Sequence, residues 1–425
     1  MTTVTATAWF TGGLILLRWA TEFWLGRLNE RHVRAHAGAV PEAFRGLMDE
    51  ATYRKSVEYT LARARFGRVR DAFDAGLLVV LLFSGVLPWA FAGSMTWLGS
   101  SAGALASFLF LMFLALGALS LPFDWHAQFC LEERFGFNTM TRGTWLLDRV
   151  KGVLIAGVLG WPLLVLLLKL SEWTGPSWWL WAWAVVVAFQ FLMLLLGPAV
   201  LLPIFNKFTP LPEGTLRERL FALSKRTQFP TRSIDVMDGS KRSRHSNAFL
   251  AGFGRYRRIV LFDTLVAQLT EEELEAVLAH EIGHHRRRHI PRLLAVSVAG
   301  MFVAFAALGW LARQDFFYRA FGFTAPDGFS PAATAPVWLL FGLLAGVVGF
   351  WGSPLTSAWS RRFEYEADAY AAEVMRQPTP LISALRKLNE KNLSNLTPHP
   401  LYSRFYYSHP TLLERERALR AMTTA

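Results

Sequence analysis

Two histidines and a glutamate in the stretch "AVLAHEIGHHRRRH" (residues 276–289) have the types and the spacing to hold and use a metal ion. If the stretch is helical, His280 and His284 lie one turn apart on one face, where two imidazoles can bind one zinc ion. Glu281, between them, then reaches a water molecule that the ion activates. The H-E-x-x-H pattern therefore predicts a catalytic zinc site with Glu281 as its general base.

A catalytic zinc ion needs three protein ligands and one open position, so a third ligand must come from another part of the chain. The stretch "SRRFEYEADAYAAEV" (residues 360–374) is predicted to be a second helix. On it Glu364 and Asp368 are one turn apart, whereas Glu366 faces elsewhere. One carboxylate would bind the ion and the other would orient a ligand histidine. Spacing alone leaves open which carboxylate does which. The single cysteine, Cys130, excludes a cysteine-based metal site.

The elements that must position these residues can also be predicted. Thr270, with Glu273 three residues later, has the capping-box pattern of a helix start. Apolar residues then recur at helical spacing up to Ile282, so a helix carries both histidines. The segment 239–262 is the only one with an extended pattern, "NAFLAGF" and "RRIVLF" around Gly252 and Gly254. It predicts one small β-hairpin in an otherwise all-α protein.

The composition places the chain among polytopic membrane proteins, because hydrophobic residues make up 53% of the 425 residues and there are seventeen tryptophans. Apolar runs long enough to span a bilayer occur at about seven places. They are residues 8–26, 74–93, 104–123, 152–169, 178–204, 291–312 and 337–353. Arg18 and Glu22 interrupt the first run, for which a signal peptide is the alternative interpretation, but no basic stretch precedes it and no small-residue cleavage site follows it.

Lysine and arginine predict the orientation of these spans, since cytoplasmic loops are enriched in both. Residues 27–70 contain ten and residues 205–290 contain fifteen, whereas residues 1–7, 94–103 and 170–177 contain none. We therefore expect the N-terminus outside, and the C-terminus and the histidines in the cytoplasm. The net charge of +12 would face anionic membrane lipids. It follows the topology and accompanies no nucleic-acid-binding module, so no nucleic-acid partner is expected.

The chain divides into four predicted regions. They are transmembrane helices 1–5 with their cytoplasmic loops (1–204), a cytoplasmic metalloprotease segment with the strand and the histidine helix (205–290), transmembrane helices 6–7 (291–353) and a cytoplasmic C-terminal segment (354–425).

Five blocks of sequence, in this order, resemble the integral-membrane CAAX prenyl protease family of zinc metalloendopeptidases. The blocks are "LPFDWHAQFCLEERFGFN" (121–138), "LLPIFNKFTPLPEG" (201–214), "GSKRSRHSNAFLAGFGRYRRIVLFDTL" (239–265), "SRRFEYEADAYA" (360–371) and "YSHPTLLERERAL" (407–419). This family trims prenylated C-terminal motifs. The resemblance implies one zinc ion per chain, peptide or lipidated-peptide substrates, and helices that enclose a chamber with the zinc at its cytoplasmic end.

The resemblance also implies roles for residues that match the family's motifs. Glu364 stands at the third zinc ligand and Asp368 at the carboxylate that supports a ligand histidine. Asn247 and Ala248 match the strand edge that pairs with the substrate backbone. His409 matches the group that faces the transition-state oxyanion, and Arg415 the group that holds or supplements it. His245 is a candidate substrate contact with an equally good structural interpretation.

Some questions stay open at this stage. His285 is predicted to point away from the ligand face, and His289, nine residues after His280, is predicted to be too far along the helix and to be solvated or interfacial. The Arg- and Ala-rich composition suggests a bacterial inner membrane, where the substrates would be non-prenylated peptides in membrane-protein quality control. A non-proteolytic scaffold or chaperone has no use for Glu281, and a transporter predicts internal repeats that are absent from the sequence.

Overall fold

The computed structural model describes residues 2–46, 48–229, 231–252 and 257–422. The protein is predominantly helical. Its helices are α1 (Thr3–Ala35), α2 (Glu50–Phe83), α3 (Val86–Leu98), α4 (Ala102–His126), α5 (Glu133–Phe135), α6 (Arg142–Thr174), α7 (Trp178–Leu196), α8 (Leu202–Phe205), α9 (Thr215–Arg226), α10 (Asp263–Gln268), α11 (Glu271–Arg286), α12 (His289–Leu311), α13 (Asp315–Ala320), α14 (Pro331–Gly349), α15 (Ser353–Met375), α16 (Thr379–Lys391), α17 (Pro400–Tyr406) and α18 (Leu412–Ala421). Its strands are β1 (Phe208–Pro210), β2 (Ser233–Met237), β3 (Ala248–Ala251) and β4 (Arg258–Phe262).

Long apolar helices make this a multi-pass membrane protein. Within the described part of the chain, four helical stretches are long and apolar enough to cross a bilayer, or five if the pair α2 and α3, bent by 59°, is one broken span. The four are Ala102–Phe135, Arg142–Phe205, His289–Leu311 and Pro331–Met375. The predicted spans 152–169 and 178–204 both fall in the second stretch, and the predicted first span lies in α1, which is not among them.

Two hydrophobic cores divide the molecule. The membrane core contains buried residues of α4, α6, α7, α12 and α14, with Trp178 and Leu339 fully buried. The other core joins α9, the sheet, α11, α15 and α16 through residues such as Leu220, Ile259 and Leu278. Large apolar side chains on the outside of the membrane helices, such as Trp97, remain exposed. An exposed apolar surface of this kind is the surface that lipid covers.

The strands form one mixed four-stranded sheet in the order β1-β2-β4-β3. β2 pairs with β4 in parallel, and β1 and β3 pair with their neighbours in antiparallel fashion. The sheet is larger than the predicted hairpin, which corresponds to β3 and β4. Residues 253–256 of the predicted turn, including Gly254, lie outside the described residues. β3 lies at one edge of the sheet, so its outer side has no strand partner among the described residues.

The predicted helix start at Thr270 is confirmed as the N-cap of α11. The Thr270 hydroxyl accepts from the Glu273 backbone N–H, and the Glu273 carboxylate accepts from the Thr270 backbone N–H at 2.8 Å. Ser383 and Lys387 of α16 also donate to that carboxylate, at 2.6 and 2.8 Å. The cap therefore fixes the start of the helix and ties it to α16.

Helices α11 and α15 pack closely, and Gly283 is the reason that they can. A Cβ atom placed on Gly283 would lie 3.1 Å from both Cα and the carbonyl oxygen of Ala367 in α15. Both groups are backbone or adjoin it, so neither can move aside easily. Hydrogen as the side chain of residue 283 lets the histidines of α11 face the carboxylates of α15.

A break separates α11 from α12. α11 ends at Arg286, and Arg288 takes the left-handed conformation (φ 55°, ψ 39°) as the N-cap of α12. Pro291 is the third residue of the new helix, a position where its missing N–H removes no intrahelical hydrogen bond. The chain therefore changes direction directly after the histidine stretch, so that His289 does not continue the helix of His284.

Candidate metal centre

Three side chains, from α11 and α15, converge on one point. His280 Nε2 lies 3.1 Å from His284 Nε2. Glu364 completes the group, with Oε1 3.3 Å from His284 Nε2 and Oε2 3.6 Å from His280 Nε2. In the described part of the chain, these are the residues whose ligand atoms all lie within 4.8 Å of one another and could hold a metal ion. Of the two carboxylates that the spacing left open as third ligand, Glu364 and not Asp368 has an oxygen within this group.

The arrangement fits a zinc ion. Ligand atoms about 2.0–2.1 Å from a tetrahedral ion lie about 3.3 Å apart, close to the three separations seen here. Glu364 is buried, and its Oε2 has no hydrogen-bond partner among the described residues. Arg415 Nη1, 3.4 Å from this oxygen, offsets part of its charge, and a bound cation would satisfy the oxygen that no hydrogen bond reaches. Two nitrogens, two carboxylate oxygens and no sulfur suit zinc.

Asp368 lies behind His280. Its Oδ1 accepts from His280 Nδ1 at 2.9 Å, which leaves the lone pair of Nε2 facing Glu364. Arg415 of α18 in turn donates to both oxygens of Asp368, at 2.8 and 2.6 Å, and its Nη1 lies 3.4 Å from Glu364 Oε2. Asp368 is completely buried and Arg415 nearly so. The buried charges are therefore paired, and together they hold His280 in a metal-binding tautomer.

Glu281 lies beside the ligands and is half-buried. Burial raises the pKa of its carboxyl above the ordinary value, and the neighbouring imidazoles of His280 and His284 oppose that rise. Within the described residues, no donor is hydrogen-bonded to the carboxylate. A carboxylate with a raised pKa and free oxygens is suited to accept a proton and return it.

His409 faces the same group from the loop before α18. Its Nε2 lies 3.3 Å from Glu364 Oε1, and the side chain is 63% exposed. It lines a cavity of about 800 Å³ together with Arg415, His245 and the tyrosines 402, 406 and 407. Desolvation by the surrounding protein lowers the pKa of the His409 imidazole, and the carboxylate of Glu364 opposes that shift. His409 therefore presents a nitrogen to a space that a substrate can enter.

Asn247 and Ala248 lie at the start of the edge strand. Ala248 is the first residue of β3, and the Asn247 carbonyl accepts from the Phe262 backbone N–H at 3.1 Å. Asn247 is exposed. β3 also contacts α11, which carries the ligand histidines. A peptide that pairs with this edge would lie next to the metal ligands.

His245 is held on both nitrogens. Nδ1 lies 3.0 Å from Asn392 Oδ1, Nε2 lies 3.4 Å from Glu132 Oε2, and the ring stacks on Phe137. The nearby carboxylate of Glu132 raises the pKa of His245 above its ordinary value, although burial lowers it. These contacts support the structural interpretation, while its place in the cavity wall leaves its ring within reach of a substrate.

The structure contradicts the predicted solvated position of His289 but does not place it among the possible metal ligands. The side chain is buried rather than solvated, because the break before α12 turns it back onto α11. Its Nδ1 lies 2.9 Å from His284 Nδ1, and its Nε2 lies 3.1 Å from Glu366 Oε2. Pro291 was the signal that could have revealed the break, since proline is common in the first turn of a new helix. His285 points away from the ligands and contacts Phe229, as the sequence predicted.

These features are typical of membrane metallopeptidases. They are a multi-pass helical membrane protein, a His-His-Glu group, a free carboxylate next to it and a strand edge beside them. Comparison with known proteins agrees. Residues 29–207 match the family described as CAAX prenyl protease N-terminal, five membrane helices, and residues 210–423 match peptidase family M48.

The relatives match along most of their length. CAAX prenyl protease 1 of Saccharomyces cerevisiae is 35% identical over 401 residues, which cover 89% of this chain and 88% of that protein. The human homologue of CAAX prenyl protease 1 is 30% identical and covers 97% of this chain and 95% of that protein. A crystal structure of S. mikatae Ste24p superposes with a TM-score of 0.88 at 33% identity, covering 97% of this chain and 98% of that one.

The chain therefore belongs to the CAAX prenyl protease family of the M48 peptidases. It is an integral-membrane metalloendopeptidase, of the kind that uses zinc.

Proposed function

We propose that this chain hydrolyses the peptide bonds of its substrates at a site where His280, His284 and Glu364 would hold one zinc ion. The observation that carries the proposal is the convergence of their ligand atoms within 4.8 Å, with a buried Glu364 oxygen that no described donor satisfies. When bound, zinc supplies a polarised carbonyl and a water of lowered pKa. Asp368 keeps His280 in the tautomer that can bind the ion.

The residues around the ion then have separate tasks. The edge of β3 binds the extended peptide through backbone hydrogen bonds at Asn247 and Ala248. Glu281 takes the proton from the attacking water on a carboxylate oxygen and delivers it to the nitrogen of the leaving amine. His409 donates from Nε2 to the oxygen of the scissile carbonyl as negative charge develops there. No covalent enzyme intermediate is required.

We infer a different task for Arg415 from the one that the resemblance implied. Its Nε and Nη2 donate to the two oxygens of Asp368, and its Nη1 lies 3.4 Å from Glu364 Oε2, so carboxylates already engage its nitrogens. A guanidinium in that position supports the oxyanion only through other groups. Arg415 is therefore a positioning residue, which holds Asp368 against His280 and compensates the charge of Glu364.

The proposed substrates are peptides with a C-terminal CAAX motif and a prenylated cysteine. The support is the identity to CAAX prenyl protease 1 along nearly the whole chain. The cavity beside His409, with its tyrosine-lined wall, offers room for several residues of an extended peptide. The alternative is a quality-control protease, which would use the same catalytic residues to cut non-prenylated membrane peptides.

A matched pair of peptides tests the substrate class. Purified, detergent-solubilised protein is incubated with a farnesylated CAAX peptide and with the same peptide lacking the lipid, and products are identified by mass spectrometry. We expect cleavage after the modified cysteine, faster for the farnesylated peptide. Equal cleavage of both would favour the quality-control substrates, and cleavage of neither would contradict both.

We also propose seven spans, with the N-terminus outside and the metal centre in the cytoplasm. Arg142–Phe205 is 64 residues long, about 96 Å as one helix, whereas a bilayer core is about 30 Å thick. Gly175, at φ 51° and ψ −131°, interrupts it between α6 and α7, which supports two crossings. α1 supplies the first span, and an ion pair of 3.0 Å between Arg18 and Glu22 lowers the cost of its charges. The residue composition favours a bacterial inner membrane, whose anionic lipids would contact the basic loops.

A further inference from the structure

Among the described residues, no carboxylate lies directly behind His284, the second proposed ligand histidine. Asp368 accepts from Nδ1 of His280, but the atom that faces Nδ1 of His284 is Nδ1 of His289, at 2.9 Å. His289 also contacts Glu366, because Nε2 of His289 lies 3.1 Å from Oε2 of Glu366. We propose that His289 and Glu366 form a relay that fixes the tautomer and the orientation of His284 as a metal ligand. The relay presupposes the metal site proposed above.

The direction of each hydrogen bond in the relay follows from its carboxylate end. An ionised carboxylate only accepts, so Nε2 of His289 must be the donor to Glu366. A neutral imidazole has one donor and one acceptor, so Nδ1 of His289 accepts from the Nδ1–H of His284. His284 then carries no hydrogen on Nε2, and that lone pair faces Glu364 and His280. The relay therefore selects the one tautomer of His284 that can bind an ion between these groups.

The members of the relay are held by contacts of their own. The ring of His289 is buried and stacks on Phe363, with 4.1 Å between ring centroids and 9° between planes. Arg362 Nε donates to Oε1 of Glu366 at 3.1 Å, and Arg292 Nη1 lies 3.5 Å from its Oε2. The two arginines favour the ionised, accepting form of Glu366. The relay thus joins α11, α12 and α15 around one ligand.

The backbone is bent at the place that makes this contact possible. In a continuous helix a residue five positions further on lies about 140° around the axis, so His289 would face away from His284. Arg288 instead adopts a left-handed conformation, which is unfavourable for a residue that carries a Cβ atom. Such a conformation persists where the surrounding structure enforces it, and often near a functional site. The left-handed conformation of Arg288 is what brings the imidazole of His289 into contact with that of His284.

Zinc affinity of purified protein, measured by competition with a chelator and without substrate, tests the relay. His289→Leu removes the acceptor, and His289→Asn restores one, since its amide oxygen can occupy the place of Nδ1. We expect zinc binding about 10–100-fold weaker in His289→Leu, the usual loss for an outer-shell partner, and recovered for the most part in His289→Asn. A purely packing role would weaken both variants alike, because neither fills the space of an imidazole.

A second pair of variants keeps the test decisive if His289→Leu does not fold. Glu366→Ala removes the end of the relay, and Glu373→Ala removes an exposed carboxylate from the same helix as a control. We expect weaker zinc binding in Glu366→Ala and wild-type binding in Glu373→Ala. Wild-type zinc affinity in both His289→Leu and Glu366→Ala would overturn the relay. Equal weakening of zinc binding in His289→Leu and His289→Asn would also overturn it. A folded wild type without zinc would instead overturn the metal site itself.

Discussion

The two sides of the metal centre differ in how firmly they are held. On the packed side, Asp368, Glu364 and Arg415 are buried and joined by charged contacts of 2.6–3.4 Å. On the open side, His409 is largely exposed within the cavity, and the tyrosines around it leave room for a peptide. The protein therefore preorganises the packed side of the site, whereas the open side is only partly shaped before a peptide arrives.

The largest effect is expected from the packed side. Glu364→Gln removes the carboxylate charge from the ligand group, so zinc affinity should fall by more than about 100-fold, the upper range for an outer-shell partner, and hydrolysis should be lost. Zinc content and peptide cleavage measure both. Glu373→Gln, an exposed site on the same helix, is the control. Retained zinc and activity in Glu364→Gln would show that the ligand set is a different one.

On the open side, a substitution is expected to lower kcat and to leave zinc binding unchanged. His409→Gln should lower kcat by about 10²–10³-fold, the usual loss of one oxyanion donor, with zinc content unchanged. Steady-state kinetics measure the effect on kcat, and metal analysis measures zinc content, so an effect on the open side is distinguished from one on the packed side. Loss of zinc in this variant would show that His409 helps to hold the metal. An unchanged kcat would show that His409 does not take part in catalysis.

The close contact of α11 and α15 predicts an intermediate effect. Gly283→Ala places a methyl group 3.1 Å from the backbone of Ala367, so we expect destabilisation by about 1–3 kcal/mol and lower activity. Gly143→Ala is a matched control, because a Cβ atom there meets nothing within 4 Å. Thermal unfolding and cleavage assays compare them. If both variants behave alike, the close helix contact is not what positions the ligands.

The smallest effect is expected at His245, on the wall of the cavity. Its pKa is raised in the folded protein, so its contact with Glu132 stabilises the fold fully below the ordinary pKa of 6.5 and less as the pH rises through the folded value. His245→Asn should therefore lower stability by about 0.5–1.5 kcal/mol at about pH 5.5, where Glu132 is still ionised, and by less at about pH 8.5. Unfolding followed at both pH values checks this. A larger loss at high pH would contradict the assigned contact.

How much could be predicted from the sequence depended on whether the signal was local. The helix of His280 and His284 was predictable because a cap and an apolar period mark it within a few residues. The choice of Glu364 over Asp368 was not, since both lie on one face of α15 and only the position of α11 distinguishes them. The family resemblance supplied what spacing could not.

The sheet and the relay were harder to predict for physical reasons. β1 is three residues long and ends in a proline, so it has no alternating pattern, and its pairing with β2 joins segments more than twenty residues apart. Pro291 indicates a helix start nearby, but it does not predict the left-handed conformation of Arg288, a non-glycine residue, on which the position of His289 depends. Both features arise from tertiary contacts that override local preference.

The most direct test of the central claim compares wild type with Glu281→Gln and with Glu272→Gln, an exposed site on the same helix. Zinc content and peptide hydrolysis are measured on all three purified proteins. We predict equal zinc in all three and a rate at least about 10²–10⁴-fold lower in Glu281→Gln alone, since it has lost its general base. Wild-type hydrolysis by Glu281→Gln, or a folded wild type that binds no zinc, would contradict the assignment of this site.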